Sequence, residues 1–162
     1  MNKLYCKWKN PAHPKPEKSK LQAFCRRAAA LAGLPQDFDW HLGLEFVNDR
    51  LMIKRNWDLL GHTGTTDVIT FCYFDNECPE LLSDEVAIEL IVNPDAACRE
   101  GKKRKKSGYS KETALYVVHG LLHSAGKDDL DPVSRRAMRR AERRVMKTLQ
   151  TEFDLESLFP EN

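Results

Sequence analysis

Apolar positions recur along this chain with two different periods, which separate predicted strands from predicted helices. Residues 42–46 alternate between apolar and polar or small side chains, the pattern of a strand with one buried face. Residues 68–74 and 86–92 are rich in β-branched and aromatic residues, which pack well on a pleated sheet, and residues 4–8 predict a short first strand. The pattern therefore predicts a sheet of about four strands.

Apolar residues spaced three and four apart predict helices in much of the remaining chain. The first helix begins at Ser19 and stops at Gly33, because glycine readily takes the left-handed conformation that ends many helices. Further helices are predicted over about residues 49–60 and 94–100. Residues 102–108 are so polar and charged that they predict a solvated loop.

The strongest helical patterns lie in the last third of the chain. Ser110 is the predicted N-cap of a helix that runs through Ala125 and ends at Gly126. Asp131 is the predicted N-cap of the last helix, with Pro132 at its first position. The apolar stripe of this last helix is predicted to consist of Val133, Ala137, Met138, Ala141, Val145 and Leu149.

Length and composition favour one domain. With 162 residues, of which 41% are apolar, the chain is large enough to bury a continuous core but too short for two full domains. We therefore expect a single α/β (or α+β) domain over residues 1–162, with helices packed on a mixed four-stranded sheet. Residues 1–20 form a basic, proline-containing N-terminal segment, and residues 151–162 form an acidic tail.

Charge is distributed unevenly along the chain. The 26 basic and 24 acidic residues leave a net charge of +2, which argues against a uniformly basic surface. Basic residues nevertheless form two clusters. One is Lys102, Lys103, Arg104, Lys105 and Lys106, and the other is Arg135, Arg136, Arg139, Arg140, Arg143, Arg144 and Lys147.

The chain shows no targeting or membrane signal. Its start lacks the apolar core of a signal peptide, and no stretch approaches the roughly 18 apolar residues of a membrane span. We expect a cytoplasmic protein without membrane contact. Five cysteines, none in a CxxC pair, then predict reduced and mostly packed thiols, with metal ligation as the less favoured alternative.

The stretch HGLLHSAGKDD at residues 119–129 carries the strongest chemical signal. His119 and His123 lie four apart on a predicted helix, about 5–6 Å apart at Cβ, so both imidazoles can reach one ion. Gly126 can take a positive φ and reverse the chain, which brings Asp129 back toward that ion. Two imidazoles and one carboxylate satisfy zinc and leave a fourth position for water, as in catalytic sites. We therefore predict one Zn2+ per chain.

A bare HxxxH pair has the alternative of two ordinary hydrogen-bonded histidines, but the complete HxxxHxxGxxD pattern favours the metal. Its spacing matches the metzincin peptidase signature HExxHxxGxxH, except that Gly120 replaces the glutamate that acts as general base. Peptide hydrolysis by that mechanism is therefore disfavoured. Gly120 either lets a substrate or backbone approach the metal or serves tight helix packing. Asp128 either accepts a hydrogen bond from a ligand imidazole or is a solvated loop acid.

With HGLLHSAGKDD, TTDVITF at residues 65–71 and the strand residues 89–92, the chain resembles the YbeY family of bacterial rRNA-maturation endoribonucleases from about residue 21 to 149. The resemblance implies a small α/β fold with a four-stranded sheet and one zinc in a cleft. It also implies a metal-dependent single-strand endoribonuclease that acts in 16S rRNA 3′-end processing and ribosome quality control. The family motif HGxLHxxGxDH is matched by His119, Gly120, Leu122, His123, Gly126 and Asp128.

Two positions depart from the family pattern. Asp129 stands where the family usually has a third histidine, and aspartate still binds zinc but adds one negative charge. Leu60 aligns with an arginine that family members commonly carry and that is thought to help with phosphate. Arg50 and Arg55 in the preceding helix are candidates to replace it.

The basic segments fit an RNA substrate, since each lysine or arginine that meets a phosphate adds a salt-sensitive increment of affinity. The alternative is that both charged surfaces are simply solvated. His62 is either a cleft residue or uninvolved. The predicted partners are ribosomal RNA and proteins of the small ribosomal subunit, and the predicted RNA-binding residues are Lys102, Lys103, Arg104, Lys105, Lys106, Arg136 and Arg140.

Three functions remain as hypotheses. A zinc-dependent endoribonuclease is favoured, with attack by metal hydroxide or by the RNA 2′-hydroxyl left open. Leu60 and Asp129 favour a ribosome-associated assembly factor whose metal is structural. A metallopeptidase is the third hypothesis, and Gly120 argues against it because glycine cannot act as a general base. An arginine close to the metal ligands in space distinguishes the first hypothesis from the second.

Overall fold

Four strands form one mixed sheet, as the alternating pattern predicted. The computed structural model describes residues 1–37, 39–74, 86–103 and 108–162. The strands are β1 Lys3–Lys9, β2 His41–Val47, β3 Val68–Cys72 and β4 Val86–Val92. Their order in the sheet is β1-β2-β4-β3, with β1, β2 and β4 parallel and β3 antiparallel to β4. The third strand ends two residues earlier than predicted.

Helices fill most of the remaining described chain, and the predicted α/β class is confirmed. Gly33 and Gly61 both have positive φ and end the first two helices, as residues without a Cβ do at low cost. No helix in the described ranges is long and apolar enough to cross a bilayer. The helices are α1 Lys18–Ala32, α2 Asp49–Leu60, α3 Pro94–Lys103, α4 Tyr109–Ser124 and α5 Pro132–Glu152.

Side chains of β4 alternate between two hydrophobic clusters, which places helices on both faces of the sheet. Ile88 and Leu90 point into the main core, which also contains the buried faces of α1, α4 and α5. Ile91 points to the opposite face, where it packs in a smaller cluster with Met52 of α2. The larger face, built around side chains such as Trp40, therefore supports the helix that carries the predicted ligands.

The C-terminal segment closes the main core, although its composition is acidic. Leu155 and Phe159 are buried, and the Phe159 ring lies 5.5 Å from that of Phe46, centroid to centroid. The predicted N-cap role of Ser110 is wrong, because α4 begins at Tyr109 with Gly108 at the N-cap position. The Ser110 hydroxyl is instead buried, where it donates to the Leu155 carbonyl (2.6 Å) and accepts from the Phe159 N–H (2.9 Å).

Two further helix predictions need correction. Lys102 and Lys103 lie in the last turn of α3 rather than in a loop, at the helix end where the macrodipole favours positive charge. Val133 is 66% exposed rather than part of the buried stripe, because the first turn of α5 extends beyond the core. Residues 104–107 lie outside the described residues, and with them the predicted RNA-binding residues Arg104, Lys105 and Lys106.

The predicted state of the cysteines agrees with the structure where it is described. Cys25 is buried, Cys6 and Cys98 are partly buried, and Cys72 is exposed, all as free thiols. Burial raises the pKa of the Cys25 and Cys6 thiols, which keeps them protonated and unreactive. Cys78 lies outside the described residues.

Candidate metal centre

Gly120 sets how closely α4 approaches the sheet. A Cβ at this position would lie 2.7 Å from Leu90 Cδ2, closer than real Cβ contacts come, and 3.0 Å from Thr70 Oγ1, which is a tight contact. The structure thus supports helix packing, rather than substrate access, as the reason for glycine here. A larger residue at this position would require the Leu90 side chain of β4 to move.

A helix-ending turn brings Asp129 back toward the histidines of α4. Gly126 has φ +88°, and its N–H donates to the His123 carbonyl (2.9 Å). The Lys127 N–H donates to the Leu122 carbonyl (3.1 Å), which completes the Schellman arrangement of a helix C-terminus. The short loop that follows ends at Asp131, which caps α5 as predicted by accepting two backbone N–H bonds.

Three ligand atoms converge at the C-terminal end of α4. The Nε2 atoms of His119 and His123 lie 2.9 Å apart, and each lies 3.8 Å from a carboxylate oxygen of Asp129. Zinc bonds of about 2.0–2.2 Å at tetrahedral angles place ligand atoms about 3.3–3.6 Å apart, and the observed separations bracket that range. In the part of the chain that the structure describes, these three residues form a group whose ligand atoms all lie within 4.8 Å of one another.

Glu142 of α5 holds the His119 ring in the tautomer that a metal requires. Its carboxylate lies 2.6 Å from Nδ1 of His119 and favours a hydrogen on that nitrogen, which in the neutral ring leaves the lone pair on Nε2. Metal-ligating histidines commonly donate their second ring nitrogen to a carboxylate in this way. The donor set therefore fits a divalent metal ion.

The electrostatic environment of His119 favours a bound cation. Burial by itself lowers the pKa of His119, but the hydrogen bond and charge of Glu142 raise it, assisted by the charges of Asp67 and Asp129. The net pKa lies above the ordinary value for histidine. The same negative field that stabilises a proton on this imidazole also attracts a divalent ion to the open side of the ring.

Two cavities are lined in part by His119. The first, of about 340 Å3, is lined by both histidines and by Leu60, Thr70 and Cys72 among others, so it follows the edge strand β3. The second, of about 460 Å3, lies along α4 and α5 and is lined by His119, Glu142 and the cations Lys111, Arg139 and Arg143 among others. The two histidines therefore line a cleft rather than a closed core.

Comparison with known proteins gives the cleft its context. The family described as Endoribonuclease YbeY matches residues 7–150, which is most of the chain. The chain belongs to this YbeY family. An endoribonuclease YbeY from Rhodopirellula baltica is 35% identical over 129 residues, covering 79% of this chain and 62% of that protein. One from Elusimicrobium minutum is 33% identical over 136 residues, covering 83% of this chain and 90% of that protein.

A solved structure supports the fold alone. A Thermotoga maritima protein known from a solution structure aligns with TM-score 0.59 and 17% identity, covering 92% of this chain and 90% of that one. Among the curated YbeY relatives, the matched segment spans less than two thirds of the Rhodopirellula protein but most of the Elusimicrobium protein.

The residues at which this chain departs from the YbeY pattern both lie at the cleft. Leu60 lines the smaller cavity with His119 and His123, and Asp129 contributes the third potential ligand. Arg55, one candidate to replace the family arginine, instead donates to Glu45 of β2 (3.1 Å). His62 is exposed and is not among the residues that line either cavity.

The sequence-based predictions missed three residues that line the cleft, Glu142, Arg139 and Arg143. Glu142, not Asp128, is the carboxylate that contacts a ligand imidazole, while Asp128 is exposed and accepts from the Leu130 N–H. Arg139 and Arg143 line the cavity, whereas the predicted Arg136 and Arg140 do not. The only available signal was that Glu142 is the one acid between Arg135 and Lys147, which marks it as unusual on a basic helix.

Proposed function

We propose that this chain is a cytoplasmic, zinc-dependent single-strand endoribonuclease that acts in rRNA maturation at the 16S rRNA 3′ end and in ribosome quality control. The observation that carries the proposal is the convergence of His119, His123 and Asp129 in an open cleft, with Glu142 behind His119. Membership of a family whose curated relatives are named endoribonucleases supports RNA as the substrate.

The three ligands suit phosphodiester chemistry. A zinc ion held by two imidazoles and one carboxylate supplies Lewis-acid stabilisation of charge on a phosphoryl oxygen and lowers the pKa of a coordinated water. His119 keeps its Nε2 lone pair toward the cleft because its Nδ1–H is bound to Glu142. RNA also carries its own 2′-hydroxyl nucleophile, so cleavage demands mainly electrostatic stabilisation from the protein.

Packing at Gly120 argues against the metallopeptidase alternative. Metzincin-type peptide hydrolysis uses a glutamate beside the first histidine as general base. Here that position has no side chain, and the Leu90 side chain occupies the space that one would need.

The assembly-factor alternative rests on Leu60, which puts an apolar side chain where a phosphate-binding arginine is common in the family. This residue does line the cavity that contains both histidines. Arg139, however, lines the larger cavity together with His119, which is one of the three potential ligands. That arrangement favours the nuclease, because a cation near the metal can stabilise a phosphate or its transition state.

Cleavage of a defined RNA tests the proposal. A single-stranded RNA ending in the 16S 3′ sequence is incubated with wild-type protein and with His123→Ala, both purified exhaustively from host nucleases and assayed for zinc. We expect cleavage that follows zinc content and disappears in His123→Ala. Equal cleavage by the two proteins would identify a contaminant. Full zinc occupancy without cleavage by wild type would favour the assembly factor.

The ligand assignment has a separate test at Asp129. Two histidines alone hold zinc weakly, so Asp129→Ala should lose the metal almost as readily as the histidine variants, while Asp129→His should keep it. Elemental analysis of the purified proteins gives the zinc content. Asp128→Ala serves as the matched control, since its carboxylate is exposed one position away. Loss of zinc from Asp128→Ala but not from Asp129→Ala would transfer the third ligand to Asp128.

A further inference from the structure

Three basic side chains line the larger cavity beside His119. It extends from His119 and Glu142 along α4 and α5, and Lys111, Arg139 and Arg143 contribute to its lining. Its volume of about 460 Å3 accommodates a nucleotide-sized group. His119 belongs to both this cavity and the cluster of potential ligands, so a group that occupies the cavity lies beside one of those ligands.

The acidic side chains of this cavity are already engaged within the protein. Glu142 accepts from the His119 ring, and Asp67 accepts from the Thr66 hydroxyl (3.1 Å) and the Val68 N–H (2.8 Å). Glu112 is only 2% exposed and also has an interaction partner. Among the described residues, neither Glu142 nor Asp67 forms a direct ion pair with Arg139 or Arg143.

Arg139 and Arg143, by contrast, make no hydrogen bond or ion pair with any residue in the part of the chain that the structure describes. Both are exposed at the mouth of the cavity. An arginine guanidinium can form two parallel hydrogen bonds to one phosphate, and two arginines four apart on a helix can meet the same anion or two neighbouring ones. Their charge is available to a ligand.

The lining of the cavity separates this pair from Arg136 and Arg140, which do not contribute to it. An α-helix turns about 100° per residue, so Arg139 lies about 60° and Arg143 about 100° around the helix from Glu142. Arg136 and Arg140 lie on the side opposite the buried Met138 and face away from the core. The chain thus offers two arginine pairs of equal charge on the same helix, of which one lines the cleft.

We propose that Arg139 and Arg143 bind the backbone phosphates that neighbour the reacting one, and so position a single RNA strand in the cavity beside the metal ligands. The proposal rests on the proposed function for the identity of the ligand as RNA. The arginines are positioning residues: they hold the strand along α5, and the phosphate adjacent to theirs then lies at His119, His123 and Asp129. Lys111 lines the same cavity from α4.

Binding of an uncleavable RNA tests the proposal independently of activity. The probe is a fluorescent, fully 2′-O-methylated single-stranded oligonucleotide, and its affinity for the full chain is measured by anisotropy over a range of salt concentrations. Arg139→Gln/Arg143→Gln is compared with Arg136→Gln/Arg140→Gln, which removes the same charge from the same helix. Circular dichroism and zinc content confirm that both variants keep the fold and the metal.

We expect the salt dependence of RNA binding to weaken mainly in Arg139→Gln/Arg143→Gln, the cavity-pair variant. Arg136→Gln/Arg140→Gln is the outer-pair variant. Each phosphate contact to a single strand contributes about 0.7 to the slope of log K against log salt. Losing one or two contacts should lower the slope by about 0.7 to 1.4, and so weaken binding about 5-fold to 25-fold at 0.1 M salt. The outer pair should change affinity less than the cavity pair.

Other outcomes overturn the proposal in distinguishable ways. If the outer-pair variant loses as much RNA affinity as the cavity-pair variant, or more, RNA binds the outer face of α5. If the cavity-pair variant keeps wild-type affinity, Arg139 and Arg143 do not bind RNA. Equally tight binding of a polyglutamate peptide, displaced by the RNA, would assign the cavity to an acidic protein segment. If only the cavity-pair variant binds RNA weakly and the wild-type protein cleaves no RNA, the proposed binding role of Arg139 and Arg143 is supported and the proposed nuclease function fails.

Discussion

At the scale of single residues, one carboxylate on α5 decides the state of a histidine on α4. Glu142 lies 23 positions from His119 in sequence, yet its 2.6 Å hydrogen bond fixes which ring nitrogen faces the cleft. Partners of this kind typically change metal affinity by about 10- to 100-fold when removed. We therefore expect Glu142→Ala to weaken zinc binding by about that factor while the protein stays folded, as measured by competition with a chromophoric chelator.

Two companion variants separate orientation from charge at this position. Glu142→Gln keeps an acceptor for the Nδ1–H of His119 but removes the negative charge, so its zinc affinity should fall between those of wild type and Glu142→Ala. Asp128→Ala removes an exposed acid near the same site and should leave the affinity nearly unchanged. Unchanged affinity in Glu142→Ala would mean that other contacts orient His119.

Gly120 is a second residue whose role is set by a contact across the core. Alanine gains about 1 kcal/mol over glycine in a helix interior, but its Cβ here would meet Leu90 at 2.7 Å, and overpacking typically costs about 1–3 kcal/mol. We expect Gly120→Ala to destabilise the protein in urea denaturation. In a Leu90→Ala background the added methyl should become neutral or stabilising, and additive effects in this double-mutant cycle would contradict the packing explanation.

At the scale of secondary-structure elements, a polar cluster ties α2 to α3 at the ends of the parallel strands. Asp49, the first residue of α2, accepts hydrogen bonds from Arg99 of α3 (3.0 Å), from Asn93 (2.8 Å) and from Thr65 (3.0 Å). Asn93 is itself fully buried between β4 and α3. The Arg99 hydrogen bond, with those from Asn93 and Thr65, lowers the pKa of Asp49 to about 2 against the opposing effect of burial.

This lowered pKa predicts how stability depends on pH. A carboxyl group with a lower pKa in the folded than in the unfolded state stabilises the fold above its unfolded pKa of about 3.9. That stabilisation should disappear as the pH falls from about 4 toward 2. We expect Asp49→Asn to be less stable than wild type at pH 6, with the difference shrinking toward pH 2, in urea denaturation of chelator-treated protein. A pH-independent difference would contradict the shifted pKa.

At the scale of the whole molecule, the three potential metal ligands join the end of α4 to the loop before α5 and, through Glu142, to α5 itself. Zinc that binds only the folded state stabilises it by about 2.7 kcal/mol at a free concentration 100 times the dissociation constant. For a chain of this size, about 1 kcal/mol corresponds to about 2–4 °C in Tm. We therefore expect zinc to raise the Tm of metal-free wild type by about 5–11 °C in calorimetry. His119→Ala should show no such shift, and an equal shift in that variant would place the stabilising zinc elsewhere.

The sequence by itself determined those features that depend on neighbours a few positions apart. The period of the apolar residues predicted all four strands, and the residues that end or cap helices placed Gly33, Gly126 and Asp131 correctly. The same local spacing put His119 and His123 on one helix face and returned Asp129 toward them. Helix periodicity and turn conformation are short-range properties, so the potential ligand set could be read before any packing was known.

Only the tertiary structure decided which residues from different elements meet. The packing of α5 on α4 selected Glu142 as the partner of His119 and turned Arg139 and Arg143, rather than Arg136 and Arg140, toward the cleft. The folding of the C-terminal segment onto α4 gave Ser110 partners that its local sequence does not reveal. These contacts depend on the rotation and distance between packed helices, which a periodic pattern along one helix leaves undetermined.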